Sequence, residues 1–297
     1  MSNVFTLTLN PCFDVTIFTD SIGDDKVSRV QKEIRECGGK GINVARVLKV
    51  FRVPVKSCGV LGSANIFEFL RLLGDSAGET QFVEVNGNVR ENLIIRTDTK
   101  TYKINRAGAD YTPEDCSGLI DSMIEQTKES DIVCICGSKP AGISNDNFIE
   151  ITKHFKTVGA RVVIDCDFIT PDELMEIKPW MIKPNNHELE LILKTEMESI
   201  EDLIKGAQTL CQKGVENVLI SMGPRGLAGV TMEKTYFVPA VEVPLKSTIG
   251  AGDSALAGFI AGEIMGKSFE EKVKLAVACG TAAVMTEGGG APTMDEI

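Results

Sequence analysis

The sequence predicts an α/β fold: a mainly parallel β-sheet with helices on both faces, together with a small β-sheet lid. Two observations predict the large sheet. Short apolar runs rich in β-branched residues recur along the chain, and between them lie amphipathic stretches of about 10–15 residues. Strand, helix and strand in that order form a right-handed crossover, and a succession of crossovers buries a parallel sheet between two layers of helices. A third observation, a block of turn-separated strands that interrupts the alternation, predicts the lid.

Residues 4–9 read as the first strand and 42–51 as the first helix; 56–61 and 66–73 are the next such pair. Residues 81–85, the Asn86-Gly87-Asn88 turn, residues 89–96, a polar turn at 97–100 and residues 101–106 read as hairpins rather than strand–helix units. Together with residues 14–37 they have no place in a parallel sheet, and they are assigned to the lid, with its segments at about 14–37 and 88–107.

Alternation resumes with a helix opened by Thr112-Pro113-Glu114, where proline suits the first helical position, and with a strand at 131–136. A strand at 161–166 precedes the capping box Thr170-Pro171-Asp172-Glu173. Next come a strand at 180–183, a helix at 199–213 stopped by Gly214, a strand at 218–222 and a hairpin at 227–238. Two helices follow, 251–265 and 269–285, the second capped by Ser268 and Glu271. No repeat or long charged linker divides the sequence, so residues 1–297 are read as one domain with a lid.

Thirty-one Lys and Arg against 42 Asp and Glu leave a net charge of −11, which argues against a nucleic-acid partner or an anionic membrane surface. A phosphorylated ligand must be held by a few focused donors. No apolar run approaches the roughly 18 residues of a membrane helix. The first residues carry no basic segment ahead of an apolar stretch, so the expected compartment is the cytoplasm. Nine cysteines with no Cys-x-x-Cys pair do not make a disulfide scaffold, and Cys134 and Cys136, alternating with isoleucine and valine, read as core-strand thiols. Only His154 and His187 are present, which leaves little room for a histidine zinc site or a Ser-His-Asp triad.

Two nucleotide motifs nearly match and fail on context. Residues 250–255 fit the dinucleotide pattern G-x-G-x-x-A, but no strand with a terminal acid follows them. Residues 261–268 come one glycine short of a phosphate loop and end a helix where such a loop must open one. What remains is Gly250-Ala251-Gly252-Asp253 at a helix start, where small residues, unpaired amides and the helix dipole make an anion hole. Asp253 is there either as a helix cap or as a base facing an acceptor hydroxyl. Gly38-Gly39-Lys40-Gly41, running into Ile42-Asn43, sets a lysine and amide donors at a second helix start, suited to a phosphate or sugar hydroxyls, or else is a tight turn. Lys183-Pro184-Asn185 with Glu188 either holds the waters of a Mg²⁺ ion or forms a capping box. Residues 221–226, by themselves, are a turn.

In their order these motifs resemble the ribokinase-type (PfkB) carbohydrate kinase family. The match is carried by Thr8-Leu9-Asn10-Pro11 with Asp14, by residues 38–45, Arg90-Glu91-Asn92, residues 137–142, Lys183-Pro184-Asn185 with Glu188, residues 221–226 and Gly250-Ala251-Gly252-Asp253-Ser254. Thr-Leu-Asn-Pro with Gly-Gly-Lys-Gly points to the sugar-phosphate branch, that of 1-phosphofructokinase and tagatose-6-phosphate kinase.

The resemblance implies a ribokinase-like, Rossmann-type sheet and an ATP- and Mg²⁺-dependent kinase of a ketohexose phosphate. Fructose 1-phosphate, giving fructose 1,6-bisphosphate, is the leading substrate, and tagatose-6-phosphate kinase is the alternative. Asp253 would be the base, with Gly250, Ala251 and Gly252 shaping the anion hole around the γ-phosphoryl group. Lys183, Asn185, Ser221, Gly223, Gly226 and Gly252 would bind ATP, and Glu188 and Asn185 would organise Mg²⁺ through water. Asp14, Gly38, Gly39, Asn43 and Ser138 would line the sugar, and Lys40, Arg90 and Arg106 would take its existing phosphate, Arg106 being otherwise a solvated lid residue. Relatives also imply a monovalent cation such as K⁺ near the anion hole and a homodimer formed through the lid. Two departures from the family pattern touch the substrate side: Lys139 replaces the leucine of Gly-Ser-Leu-Pro, and Asp165-Cys166-Asp167-Phe168 replaces Asp-x-Ser-Gly. A rival of another class is a catalytically silent sugar-phosphate sensor on the same fold.

Overall fold

The computed structural model describes residues 2–23, 26–286 and 290–297, so residues 24 and 25 of the expected lid lie outside it. The chain opens with β1 (Val4–Thr8), β2 (Cys12–Phe18) and β3 (Lys32–Gly38), then enters α1 (Lys40–Val50). β4 (Val55–Gly62), α2 (Ile66–Leu73) and β5 (Glu79–Val85) follow, then β6 (Arg90–Arg96) and β7 (Thr101–Asn105). The middle of the chain is α3 (Pro113–Gln126), β8 (Ile132–Cys136), α4 (Asn145–Thr157), β9 (Arg161–Asp165), α5 (Pro171–Ile177) and β10 (Met181–Ile182). The last part is α6 (Asn186–Leu193), α7 (Ile200–Gln212), β11 (Asn217–Ser221), β12 (Leu227–Val230), β13 (Thr235–Val238), α8 (Ala251–Ile264) and α9 (Phe269–Val284).

Nine strands form one sheet in the order β13-β12-β11-β10-β9-β8-β1-β4-β5, and β3-β2-β6-β7 form a second. From β11 to β5 the large sheet is parallel throughout; β12 and β13 add an antiparallel edge. The helices start where their caps dictate: Thr112, Ser144, Thr170, Asn185, Ser199 and Ser268 each close a capping box. Along β8, Val133 and Ile135 join one apolar core with residues of α3, α4 and α7, whereas Ile132, Cys134 and Cys136 join another with residues of α1, α8 and α9. That alternation is why the strand is apolar at every position: both faces are covered. The nine cysteines are buried and unpaired.

One element differs from its expectation. Residues 81–85 are not the first arm of a hairpin; β5 pairs in parallel with β4 from Lys56↔Glu79 to Gly62↔Val85, with α2 as the crossover. As the edge strand of the large sheet it is mostly half-buried or exposed, and that polarity imitates a hairpin arm. Asn86-Gly87-Asn88 is accordingly the passage between sheets, with Gly87 accepting a backbone hydrogen bond from Ala64 at 2.9 Å. Only β6 and β7 pair as consecutive antiparallel strands there.

The parallel strands end together on one side of the large sheet. Asn10 follows β1, Gly137 and Ser138 follow β8, Asp165 ends β9, Lys183 follows β10 and Ser221 ends β11. Ligand sites of open α/β sheets lie at this edge. Among the described residues no helix is long and apolar enough to cross a membrane.

Candidate active site

α8 is preceded by its cap, Gly250, which takes φ 73°, a left-handed conformation that glycine adopts without strain. Ala251, Gly252 and Asp253 are its first turn, so their amides have no partner within the helix. Asp253 does not cap this helix. It is the third helical residue, the cap is Gly250, and its Oδ2 instead accepts a 2.8 Å hydrogen bond from Asn43 Nδ2 of α1. Burial first, and then the charge of Asp165, push the carboxyl up to about 6, while Asn43, Lys183 and Lys40 pull against that rise. A carboxylate in that range is a competent base near neutral pH.

Asp165 is the residue that sequence reasoning missed. Its side chain is 1% exposed, and it lies between Lys40 Nζ, 2.8 Å from Oδ1, and Lys183 Nζ, 3.3 Å from Oδ2. Burial opposes its ionisation, but Lys183 and Lys40 together hold its carboxyl below the usual range. Lys40, half-buried, is raised chiefly by Asp165 against the opposing effect of burial. A signal was available: an acid ending an apolar strand at the carboxyl edge of a parallel sheet has no structural reason to be there.

Lys40 therefore stands with Lys183 rather than with the arginines expected to hold a substrate phosphate. Its ammonium is also 4.0 Å from Glu188 Oε1. The capping box at Asn185 and Glu188 is formed in full, the Asn185 N–H donating to Glu188 Oε2 at 2.8 Å and the Glu188 N–H to Asn185 Oδ1 at 2.9 Å. That leaves Oε1 of Glu188 and Oδ2 of Asp165, a buried oxygen with no hydrogen bond, pointing to the lysines. One or two carboxylates beside a polyphosphate suit Mg²⁺, which keeps most of its waters, so these residues fit that ion. Among the described residues no group of three or more His, Cys, Asp or Glu could hold a metal ion.

A cavity of about 930 Å³ runs along this edge. Asn185, Ser221, Gly223, Gly226, Ala251 and Gly252 line it, so the residues expected to meet a nucleotide share one space, except Lys183, which is not among its lining residues. Sequence reasoning did not find its far wall, formed by Val241, Val243, Leu245 and the α9 residues Ala276, Val277 and Gly280. Nothing but apolar character marks that wall in the sequence.

The residues expected on the sugar side form a second cluster. Asn92 Nδ2 donates to Asp14 Oδ1 at 2.9 Å, and Arg90 Nη1 donates to Asn92 Oδ1 at 3.1 Å. Arg90 Nε donates to the carbonyl of Asn10 at 3.1 Å, and Asn10 Nδ2 lies 3.5 Å from Ser138 Oγ. A Cβ on Gly38 would run into Asp14 Oδ2, and Gly39 stands at the start of α1. Asn92, to which the resemblance assigns no role, joins Arg90 to Asp14. Arg106 lines a cavity of about 480 Å³ with Arg90 and Gly108, yet its side chain is 62% exposed and paired with Glu91 at 2.9 Å. Asn43 has Nδ2 on Asp253 and Oδ1 on Arg46, so both ends of its amide are engaged.

The two departures from the family pattern touch each other. Lys139 Nζ donates to the Ile143 carbonyl at 2.6 Å and lies 5.4 Å from the centroid of the Phe168 ring.

A buried carboxylate, two lysines and a glycine-rich helix start gathered at the carboxyl edge of a parallel sheet suit phosphoryl transfer, which needs positioning and electrostatics more than covalent chemistry. The class is that of the sugar kinases, which transfer phosphate to a hydroxyl. The chain belongs to the pfkB family of carbohydrate kinases, whose model matches residues 7–296. It is 33% identical over 284 residues to 1-phosphofructokinase of Bacillus subtilis, covering 96% of this chain and 93% of that one. Phosphofructokinase-2 from Escherichia coli, solved with fructose-6-phosphate, with potassium and as a tetrameric inhibited form, is similar with TM-scores of 0.91, 0.90 and 0.89. Those structures are 26–27% identical to this chain and cover 100% of it and 97% of theirs. Ribokinase of Arabidopsis thaliana, complexed with ribose and ATP, shares the fold at a TM-score of 0.79 and 19% identity, over 100% of this chain and 97% of that one.

Proposed function

We propose that the protein phosphorylates a ketohexose phosphate with ATP, and that the substrate is fructose 1-phosphate, giving fructose 1,6-bisphosphate. The observation that carries the reading is the setting of Asp253, a buried carboxylate raised to about 6 next to Gly252, which lines the larger cavity. Similarity to the 1-phosphofructokinase of Bacillus subtilis supports the choice of sugar.

In this reading ATP lies in the larger cavity against Ser221, Gly223 and Gly226, its γ-phosphoryl group at the amides of Ala251, Gly252 and Asp253. Lys183 and Lys40 face the phosphates, with Asp165 holding both ammonium groups in place. Mg²⁺, where bound, would be held through water by Glu188, Asn185 and Asp165, and would neutralise the phosphate oxygens. Asp253 accepts the proton of the substrate hydroxyl as that oxygen bonds to phosphorus. Asp14 and Asn92 meet sugar hydroxyls, and Arg90 meets the phosphate the sugar already carries. The whole chain acts as one kinase domain, residues 1–297, with the four-stranded sheet as a lid whose closure excludes water. The exposed outer strand β7, with Tyr102 and Ile104, suits pairing of two chains through that sheet, and similarity to the phosphofructokinase-2 solved with potassium supports including a K⁺ ion beside the anion hole. The cytoplasm is its compartment.

ADP release from Mg·ATP, compared at equal concentrations of fructose 1-phosphate, tagatose 6-phosphate, fructose 6-phosphate and fructose, tests it. Turnover with fructose 1-phosphate far above the rest is expected. Preference for another sugar reassigns the substrate. No turnover with any of them, but a raised melting temperature with one, makes the protein a sensor.

A further inference from the structure

We infer that Arg46 is a positioning residue for the transfer: it fixes the amide of Asn43 so that Nδ2, and never Oδ1, faces Asp253. The inference rests on the reading of Asp253 as the base.

Asn43 and Arg46 are three residues apart on α1 and so share a face of it. Arg46 Nη1 donates to Asn43 Oδ1 at 3.3 Å, and two further contacts hold the guanidinium: Nε to Ser76 Oγ at 3.2 Å and Nη2 to Cys37 Sγ at 2.8 Å. Ser76 is itself anchored, donating to the Leu73 carbonyl at 2.7 Å. Burial raises the Cys37 thiol, which keeps it neutral despite the arginine.

An asparagine amide has a donor end and an acceptor end of nearly equal size, and its neighbours decide which way it faces. Arginine only donates. With the guanidinium on one side, a reversed Asn43 would set its NH₂ against N–H groups and its carbonyl against the Asp253 carboxylate, losing both bonds. Asn43 is 7% exposed, so water could not replace them. Asp253 is therefore offered a donor at all times, which favours its ionised form over its protonated form.

The other charged groups facing Asp253 are Asp165 at the end of β9, Lys183 after β10 and Lys40 at the start of α1. The thiols of Cys12 and Cys136, near enough to sense its charge, are held neutral by burial. None of these orients Asn43. Without the guanidinium, Asn43 can turn over whenever Asp253 takes a proton and accept a hydrogen bond from it. The carboxylate then loses its selective support, and the base holds its proton to higher pH.

The test is the pH profile of kcat with Mg·ATP and fructose 1-phosphate for wild type, Arg46→Met, Arg46→Lys and Asp253→Asn; either Arg46 variant that folds suffices. Arg46→Met is expected to move the acid limb toward higher pH by about half a unit or more, with KM for ATP within about 2-fold of wild type. Arg46→Lys keeps a donor but not the planar fork that reaches three acceptors at once, and is expected to move the limb less in the same direction. A folded Arg46 variant slowed by the same factor at every pH, with its acid limb unmoved, would reduce Arg46 to a packing role and overturn the inference. An Asp253→Asn enzyme of near wild-type rate would instead overturn the reading of the base, so the two failures are distinct.

Discussion

Lys183 Nζ lies 3.1 Å from the point where a Cβ on Gly252 would stand. The absence of a side chain at the start of α8 is thus what lets an ammonium group come up beside the unpaired amides of that helix. The same lysine reaches Asp165 on its other side, so the helix start, the lysine and the buried acid form one unit. Gly252→Ala is expected to push the tip of Lys183 aside. The displaced atoms are the far end of a flexible chain, so the melting temperature should stay within a few degrees of wild type. Turnover should fall by roughly 10²-fold, the loss typical of a single displaced electrostatic contact in a transition state. Steady-state kinetics beside a thermal melt check this; a Gly252→Ala enzyme of wild-type rate would remove Lys183 from the site.

Asp253→Asn separates activity from stability. Removing the proposed base should lower kcat by at least roughly 10²-fold while ATP binding is largely kept. Stability should move the other way. The Asp253 carboxyl is raised in the folded protein from 3.8 to about 6, so the folded state is favoured below 3.8, where the group is protonated whether folded or not, and loses that advantage as pH rises through about 6. The asparagine variant, free of a buried charge, is therefore expected to melt several degrees higher than wild type at pH 8 and to match it near pH 4. Melting curves across that range, with titration of ATP into the variant, decide the matter.

The strands and helices of the large sheet were legible because each buries a face and so has a periodic sequence: β8 is apolar throughout, and the caps at Thr112, Thr170 and Ser268 mark helix starts by their own hydrogen bonds. β5 was misplaced because an edge strand buries little, and local sequence cannot tell its partner. In the site, glycines and their lysines were visible from spacing. Asp165 was not, since its role depends on Lys40, 125 residues away in sequence, and on Lys183. Nothing in the motif around Asn43 tells of Arg46 on one side of it and Asp253 on the other.

Asp165→Asn should show what the two lysines require. It leaves Lys183, 5% exposed, and Lys40 without their shared anion, and breaking a buried pair in this way costs about 3–5 kcal/mol. The carboxyl of Asp165 is held low in the folded protein, so its contribution is complete above the unfolded value of 3.8 and is lost as pH falls through the lower folded value. Wild type is expected to exceed the variant clearly in stability at pH 7, the gap narrowing below about pH 4. Denaturant unfolding at the two pH values measures it. A gap independent of pH would mean that the pair is not what the carboxylate contributes.

The arginines separate into one that is built into the site and one that is not. Arg90 is held by Asn10 and Asn92 within reach of Asp14, whereas Arg106 is mostly exposed and spends its charge on Glu91. Arg90→Ala is expected to raise KM for fructose 1-phosphate by about 10-fold or more, the scale of a lost hydrogen bond to a charged group, with KM for ATP little changed. Arg106→Ala should change either constant by no more than about 2-fold, as for a solvent-screened ion pair. Lys40→Ala should differ from both, lowering kcat rather than raising the sugar KM, because its ammonium lies on Asp165. Kinetics with each substrate varied in turn distinguish the three. A sugar KM that rises equally in Arg90→Ala and Lys40→Ala would put the lysine back beside the substrate phosphate.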